Sequence, residues 1–217
     1  MELNSILFSR IAWAGLVKLP IGGAHMPLVV EAVQHICNFV EYPENLSEFI
    51  LTNGIKFRHG DFVSKDVESG HLVIGELVIF NNGIIVTSES PTEGMDIFLN
   101  ALLVFMEKQL DIKFDESHEK TKIYTSQLEV TLAASLPQTP VEKEFIGILN
   151  KRFPDYGINL PQSGFEKSGV NFSFDISSIP DLPPIRFGIE RRTGRPYPSN
   201  AYFTEASVPT SVHLGLL

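Results

Sequence analysis

The chain has one cysteine and one tryptophan in 217 residues, and its 17 Lys and Arg are outnumbered by 26 Asp and Glu. With Cys37 alone, no intramolecular disulfide can form, and a reducing, cytoplasmic setting is the expectation. The same count excludes a zinc site built from several cysteines. A net charge of −9 removes the phosphate neutralisation on which duplex nucleic-acid affinity rests. Catalytic signatures are missing too: there is no Walker-type G-x-x-x-x-G-K-[ST], no G-x-G-x-x-G after a strand, no G-x-S-x-G elbow and no H-E-x-x-H helix. The most apolar early stretch, Ile6 to Gly23, is interrupted by Arg10, Lys18 and Pro20 and follows an acidic Glu2. That pattern suits neither a secretory signal nor a membrane span, and it reads as a buried or interface segment. Myristoylation is excluded because Glu2 stands where glycine is required.

What is present supports a folded core. Apolar residues make up 43% of the chain, with 16 Phe and a mean hydropathy of +0.08, enough to offset ordering entropy. The length fits one large domain or two small ones. A single α+β domain over 1–217 is expected, with a possible division in the Gly-, Pro- and Ser-rich connection 156–169, giving 1–155 and 170–217.

Periodicity places the elements. Val29, Val30, Val33, Ile36, Cys37 and Val40 recur at helical steps, predicting a helix over 27–40 with Cys37 on its buried stripe. A short helix over Leu46 to Leu51 is expected to stop at Asn53-Gly54, followed by a half-exposed strand of Ile55, Phe57 and His59. The nearly unbroken apolar run Leu72 to Phe80, the turn residues Asn81-Asn82-Gly83 and the answering Ile84-Ile85-Val86 predict a β-hairpin near 72–88 whose first strand is covered on both faces.

Ser90-Pro91-Thr92-Glu93 and Thr139-Pro140-Val141-Glu142 each offer a capping hydroxyl, Pro at the first helical position and a Glu placed to reach back. They predict helices over 91–110 and 140–153. The first is apolar around most of its circumference. The second is amphipathic, with Val141, Phe145, Ile148 and Leu149 expected inward. Tyr124 to Leu132 alternates as a strand with one wet face. Val170 to Ile176, Ile185 to Ile189 and Ala201 to Ala206 predict a C-terminal set of antiparallel strands. The fold class is α+β, with a mostly antiparallel, mixed sheet. Beyond Pro209 the apolar Val212, Leu214, Leu216 and Leu217 are expected to be tucked away, unless the native chain continues past them.

Three clusters of reactive side chains stand out. Arg186, Arg191, Arg192 and Arg195 lie within ten positions, with Glu190 among them. Converging guanidinium groups fork onto phosphate or carboxylate, although a solvated, self-neutralised strand face is the ordinary reading. Asp111, Asp115, Glu116, His118 and Glu119 carry oxygen and nitrogen donors but lack the glycine of a calcium loop, and lysines intersperse them. Asp61, Lys65, Asp66, Glu68 and His71 precede the hairpin, with no nucleophile placed beside His71. No catalytic residue, metal or cofactor is expected.

The leading functional expectation is a non-catalytic protein–protein interaction or assembly protein, acting as an oligomer or with a partner protein. Its interface is expected on the all-round apolar helix at Phe98, Leu102, Phe105 and Met106. The alternative is an enzyme or small-molecule-binding domain that grips an anionic ligand through Arg186, Arg191, Arg192 and Arg195.

Overall fold

The computed structural model describes residues 1–15, 17–18, 26–43, 54–80, 82–110, 112–114, 121–158, 160–161, 164–173 and 185–217. Among the described residues, eleven strands and four α-helices follow one another. They are β1 (Glu2–Ala14), β2 (Val17–Lys18), α1 (Met26–Ile36), β3 (Asn38–Glu41), β4 (Ile55–Val63), β5 (His71–Phe80), β6 (Gly83–Ser88), α2 (Thr92–Leu110), β7 (Lys113–Phe114), β8 (Thr121–Thr131), α3 (Pro140–Arg152), β9 (Gly169–Ser173), β10 (Arg186–Arg191), β11 (Ala201–Ala206) and α4 (Thr210–Leu216). Nine strands form one sheet in the order β3-β4-β5-β6-β1-β8-β11-β10-β9, and β2 pairs with β7. The α+β class is therefore as the sequence indicates. The expected helix over 46–51 lies outside the described residues.

The chain divides into two compact units. The larger comprises 5–128 and 205–217, and the smaller 1–4 and 129–204. The boundaries fall within β1, β8 and β11, and the 156–169 connection belongs to the smaller unit alone.

In the larger unit, β5 and β6 form the hairpin, with Leu77 opposite Val86 and Ile79 opposite Ile84. Gly83 does not adopt a positive φ. It belongs to β6, where a Cβ would collide with the Trp13 carbonyl of β1, and Trp13 is its neighbour's register partner, Trp13 to Ile84. The first hairpin strand is less enclosed than its composition implies. Leu72 and Ile74 alternate with exposed neighbours, and only Leu77 to Ile79 is buried continuously.

On β4 the inward set changes parity, from Ile55 and Phe57 to Gly60 and Phe62, across His59 with φ 52°. Its partner changes at the same level, from Leu77 and Ile79 to Leu72 and Ile74, so the register stays unbroken. Gly60 faces Phe39 of β3, and a Cβ there would meet the Phe39 ring and lie 2.6 Å from Cys37 Sγ.

Residues 6–14 of the apolar N-terminal segment belong to strand β1. Ser9, Ile11 and Trp13 of β1 point into the core at period two. The expected 27–40 helix also stops early, at Ile36. Gln34 accepts from the Phe39 N–H at 2.8 Å and donates to the Phe39 carbonyl at 3.0 Å, which satisfies the backbone as the chain reverses into β3. Cys37 is buried, and burial, reinforced by Asp61, pushes its thiol up to about 12.

Two helix starts in this unit cap each other. Thr92 N donates to Thr210 Oγ1 at 3.1 Å, Thr210 N donates to Thr92 Oγ1 at 2.8 Å, and Ser211 N donates to Glu93 Oε1 at 2.9 Å. Glu93 therefore serves α4, whereas the sequence pattern has it reaching back to its own cap. Burial alone raises the Glu93 carboxyl, but hydrogen bonds from Ser211, its own N–H and Thr92 outweigh that and hold it below the usual range. Among the described residues, no helix is long and apolar enough to cross a membrane.

Gly60→Ala is expected to cost about 1–3 kcal/mol by forcing Phe39 and Cys37 apart. Urea unfolding followed by circular dichroism reads this as a lower midpoint at unchanged slope. A wild-type midpoint would show that β3 and β4 do not approach as described.

Candidate functional site

The arginine-rich turn belongs to the smaller unit, and its centre is Arg191 on β10. Its side chain is 7% exposed and lies 3.1 Å from Glu166 Oε2. The guanidinium also donates to the Tyr197 carbonyl at 2.8 Å, Ser135 Oγ at 3.2 Å and the Lys167 carbonyl at 3.4 Å. Its carbon sits 4.2 Å from the Tyr197 ring centroid and 5.2 Å from that of Tyr202. Arg192 and Arg195 approach one carboxylate, Glu129, at 3.4 and 3.8 Å. Arg186 lies in register with Ser173 of β9 and is engaged within the protein as well. The turn thus assembles Arg191, Arg192 and Arg195 around two of the protein's own carboxylates. Glu166 lies 25 positions from Arg191, and Glu129 lies 63 and 66 positions from Arg192 and Arg195, and nothing local in the sequence announces them.

The segment 165–167 clips α3 onto this network. Phe165 stacks edge-on against Phe153 with centroids 4.6 Å apart, and its N–H donates to Asn150 Oδ1 at 2.6 Å. Lys167 pairs with Glu142 at 3.0 Å, while Glu166 between them faces Arg191. Thr139 and Glu142 complete the expected capping box. The Thr139 N–H, helped by Lys167, holds the Glu142 carboxyl below its usual range.

The consequence for α3 reverses the sequence expectation at Val141, Phe145 and Ile148, while Leu149 is half-buried. Val141, Phe145 and Ile148 are 75%, 59% and 50% exposed, and no residue of α3 is buried. The helix holds on through Glu142, Asn150 and the following Phe153, so its most apolar stripe faces solvent. Tyr156 and Ile158 beyond the helix are exposed as well. On β9, Phe172 is exposed rather than on a dry face, with the Phe187 ring 6.4 Å away. Phe174 and Ile176 lie outside the described residues.

The α2 residues expected at an interface lie elsewhere. Phe98, Leu102 and Met106 are fully buried in the core of the larger unit, where they present no surface to a partner. Phe105 is half-buried, with its ring 5.5 Å from that of His35. Val104 is the apolar residue of this stretch that stays exposed.

The larger unit also carries an open cavity of about 520 Å³ between the 66–72 turn and the start of α2. Asp66, Glu68 and Glu93 supply its charge, His71 adds an imidazole, and Val67, Leu72 and Ile97 form its apolar wall. His71 Nε2 lies 2.5 Å from Asp61 Oδ1 at the surface. No Lys or Arg is among the described residues that line this cavity, so the electrostatics of that lining favour a cation or amine over an anion.

A Ser–His pair has no signature in the sequence, because its members are 87 residues apart. Ser126 Oγ and His213 Nδ1 meet at 2.8 Å, both completely buried. That distance suits a base and its nucleophile, but burial bars any substrate, and the pair pins α4 to β8. No group of three or more His, Cys, Asp or Glu among the described residues is arranged to hold a metal. The acidic stretch Asp111, Asp115, Glu116, His118 and Glu119 lies outside them. No protein-family model matches the chain, and no curated protein resembles it in sequence.

Two stability measurements separate these roles. Arg191→Ala is expected to cost about 1–3 kcal/mol by leaving half-buried Glu166 and the Tyr197 and Lys167 carbonyls without their donor, whereas Arg195→Ala changes stability by less than about 0.5 kcal/mol. Equal, small effects in urea unfolding would contradict the network. Burial, against weaker opposition from Glu205 and Ser126, lowers the His213 pKa from 6.5 to about 4. The fold then favours the neutral ring, so this stability is fully present above pH 6.5 and is lost as pH falls toward 4. The loss is on the order of 3 kcal/mol. His213→Asn should flatten the decline between pH 6.5 and 4, and an unchanged profile would refute the assignment.

Proposed function

We propose that this chain is a non-catalytic protein–protein interaction or assembly protein, acting as an oligomer or with a partner protein. The observation that carries this reading is the outward apolar stripe of α3, whose Val141, Phe145 and Ile148 are all at least half exposed. Contiguous apolar patches rimmed by charge mark interaction sites on folded proteins. Here Glu144 and Lys151 flank the stripe and Arg152 continues it. The short α4 shows the same inversion in the larger unit: it buries Thr210 and His213 while Val212 and Leu216 stay exposed. The interaction surface is therefore assigned to α3 in place of the buried Phe98, Leu102 and Met106 of α2. The single buried thiol supports placing this activity in the cytoplasm.

The alternative is an enzyme or small-molecule-binding domain in which Arg186, Arg191, Arg192 and Arg195 grip an anionic ligand. A ligand would have to displace Glu166 from Arg191 and compete with Glu129 for Arg192 and Arg195. Glu166 would lose its partner while only partly solvated, which makes this the weaker reading.

Native mass spectrometry of gently purified protein tests the interaction reading. The expected result is a multiple of 24.2 kDa or an added protein mass, abolished by Phe145→Glu with the fold intact by circular dichroism. A bare monomer from wild type at every concentration, without any added protein mass, would overturn it.

A further inference from the structure

The proposed interaction surface can be given a specific occupant. Along α3, Val141, Phe145, Ile148 and Arg152 follow one another at steps of 4, 3 and 4, the spacing of a helix–helix seam. The first three are exposed. Glu144 and Lys151, also exposed, are seven positions apart and lie on the same flank of that seam. We propose that α3 pairs antiparallel with α3 of a second copy of this chain, about a two-fold axis near the middle of the helix. The inference rests on the interaction reading above and narrows it.

Charge decides both the occupant and the direction. In an antiparallel pair each flank meets the same flank of its partner. Setting Phe145 against Ile148 of the other copy then brings Glu144 beside Lys151, and the two-fold repeats that ion pair. The same register carries Arg152 over Val141 toward the acidic start of the other helix, where Glu142 and Glu144 lie. A parallel pair would instead set Glu144 against Leu149 and offset the unlike charges. One surface that is complementary to itself in one orientation is what an isologous interface requires.

The helix has 13 residues, so it is about 20 Å long. Two such helices cover less than the roughly 800 Å² per partner of a standard interface. Dimerisation is therefore concentration-dependent.

Sedimentation equilibrium of the full chain at low salt tests the pairing with Glu144→Lys, Lys151→Glu and the double variant, each checked for a wild-type Tm. Wild type is expected to dimerise as its concentration rises. Each single substitution should weaken the dimer at least several-fold, because it sets like charges together twice, and the double variant should restore it. If wild type dimerises but the single variants match it, or the double fails to recover, the antiparallel α3 seam is wrong while self-association stands. If wild type remains monomeric, the second copy is excluded. Native mass spectrometry of the same sample then separates the two failures. An added protein mass leaves a different partner on the interaction surface, and a bare monomer sinks the interaction reading as well.

Discussion

The smaller unit depends on one guanidinium. Arg191 joins Glu166, Ser135, the Tyr197 and Lys167 carbonyls and the faces of two tyrosines. Fully buried apolar side chains are scarce among the described residues of 129–204, where Val130 and Tyr202 are the large ones. A buried ion pair is a weak source of net stability but a demanding one, since every neighbour must be placed to satisfy it. The segment 165–167 meets that demand by alternation. Its middle residue faces Arg191, and the residues on either side hold α3. Two functional consequences follow. The arginines are committed to the protein's own carboxylates, and α3 is secured by polar and end contacts that leave its apolar stripe outward.

The larger unit shows the opposite allocation. Ile11, Trp13, Phe57, Leu77, Ile84 and Val86 from the sheet meet Phe98, Leu99, Leu102 and Met106 from α2, with Val29 and Val33 from α1. Close-packed cores of this kind tolerate little added volume. Glycines 60 and 83 accordingly stand where another strand comes too near for a side chain. Four of the polar residues that enter this core, Thr92, Thr210, Ser126 and His213, meet one another in pairs. Burying them has the effect of anchoring α4 by hydrogen bonds, with its valine and leucine outward.

Local grammar was legible in the sequence. The hairpin, the Thr139–Glu142 capping box, the long helix near 91–110 and the antiparallel strands at β9, β10 and β11 all follow from periodicity and turn chemistry. Where the reading failed, distant partners overruled a local pattern. The 27–40 stripe continues at helical spacing past Ile36, yet Gln34 and Phe39 exchange hydrogen bonds that favour a reversal into β3. The period-two signal of β1 was hidden because Ile6, Phe8 and Ala12 make both of its faces apolar. A helical stripe states which residues share a face and leaves open where that face points. For α3, Phe165 and Lys167 decide it, and for the arginines Glu129 and Glu166 do. None of these pairings has a signature in sequence spacing.

The central claim is that the α3 stripe is a surface meant to be covered, and hydrogen–deuterium exchange at rising protein concentration tests it most directly. Covering the stripe stabilises the helix against local opening, so amides from 141 to 152 should exchange more slowly as concentration rises. Those of β4 to β6, already deep in a core, should not change. Exchange in α3 that is independent of concentration, in a sample shown to self-associate, would place the contact elsewhere and contradict the account.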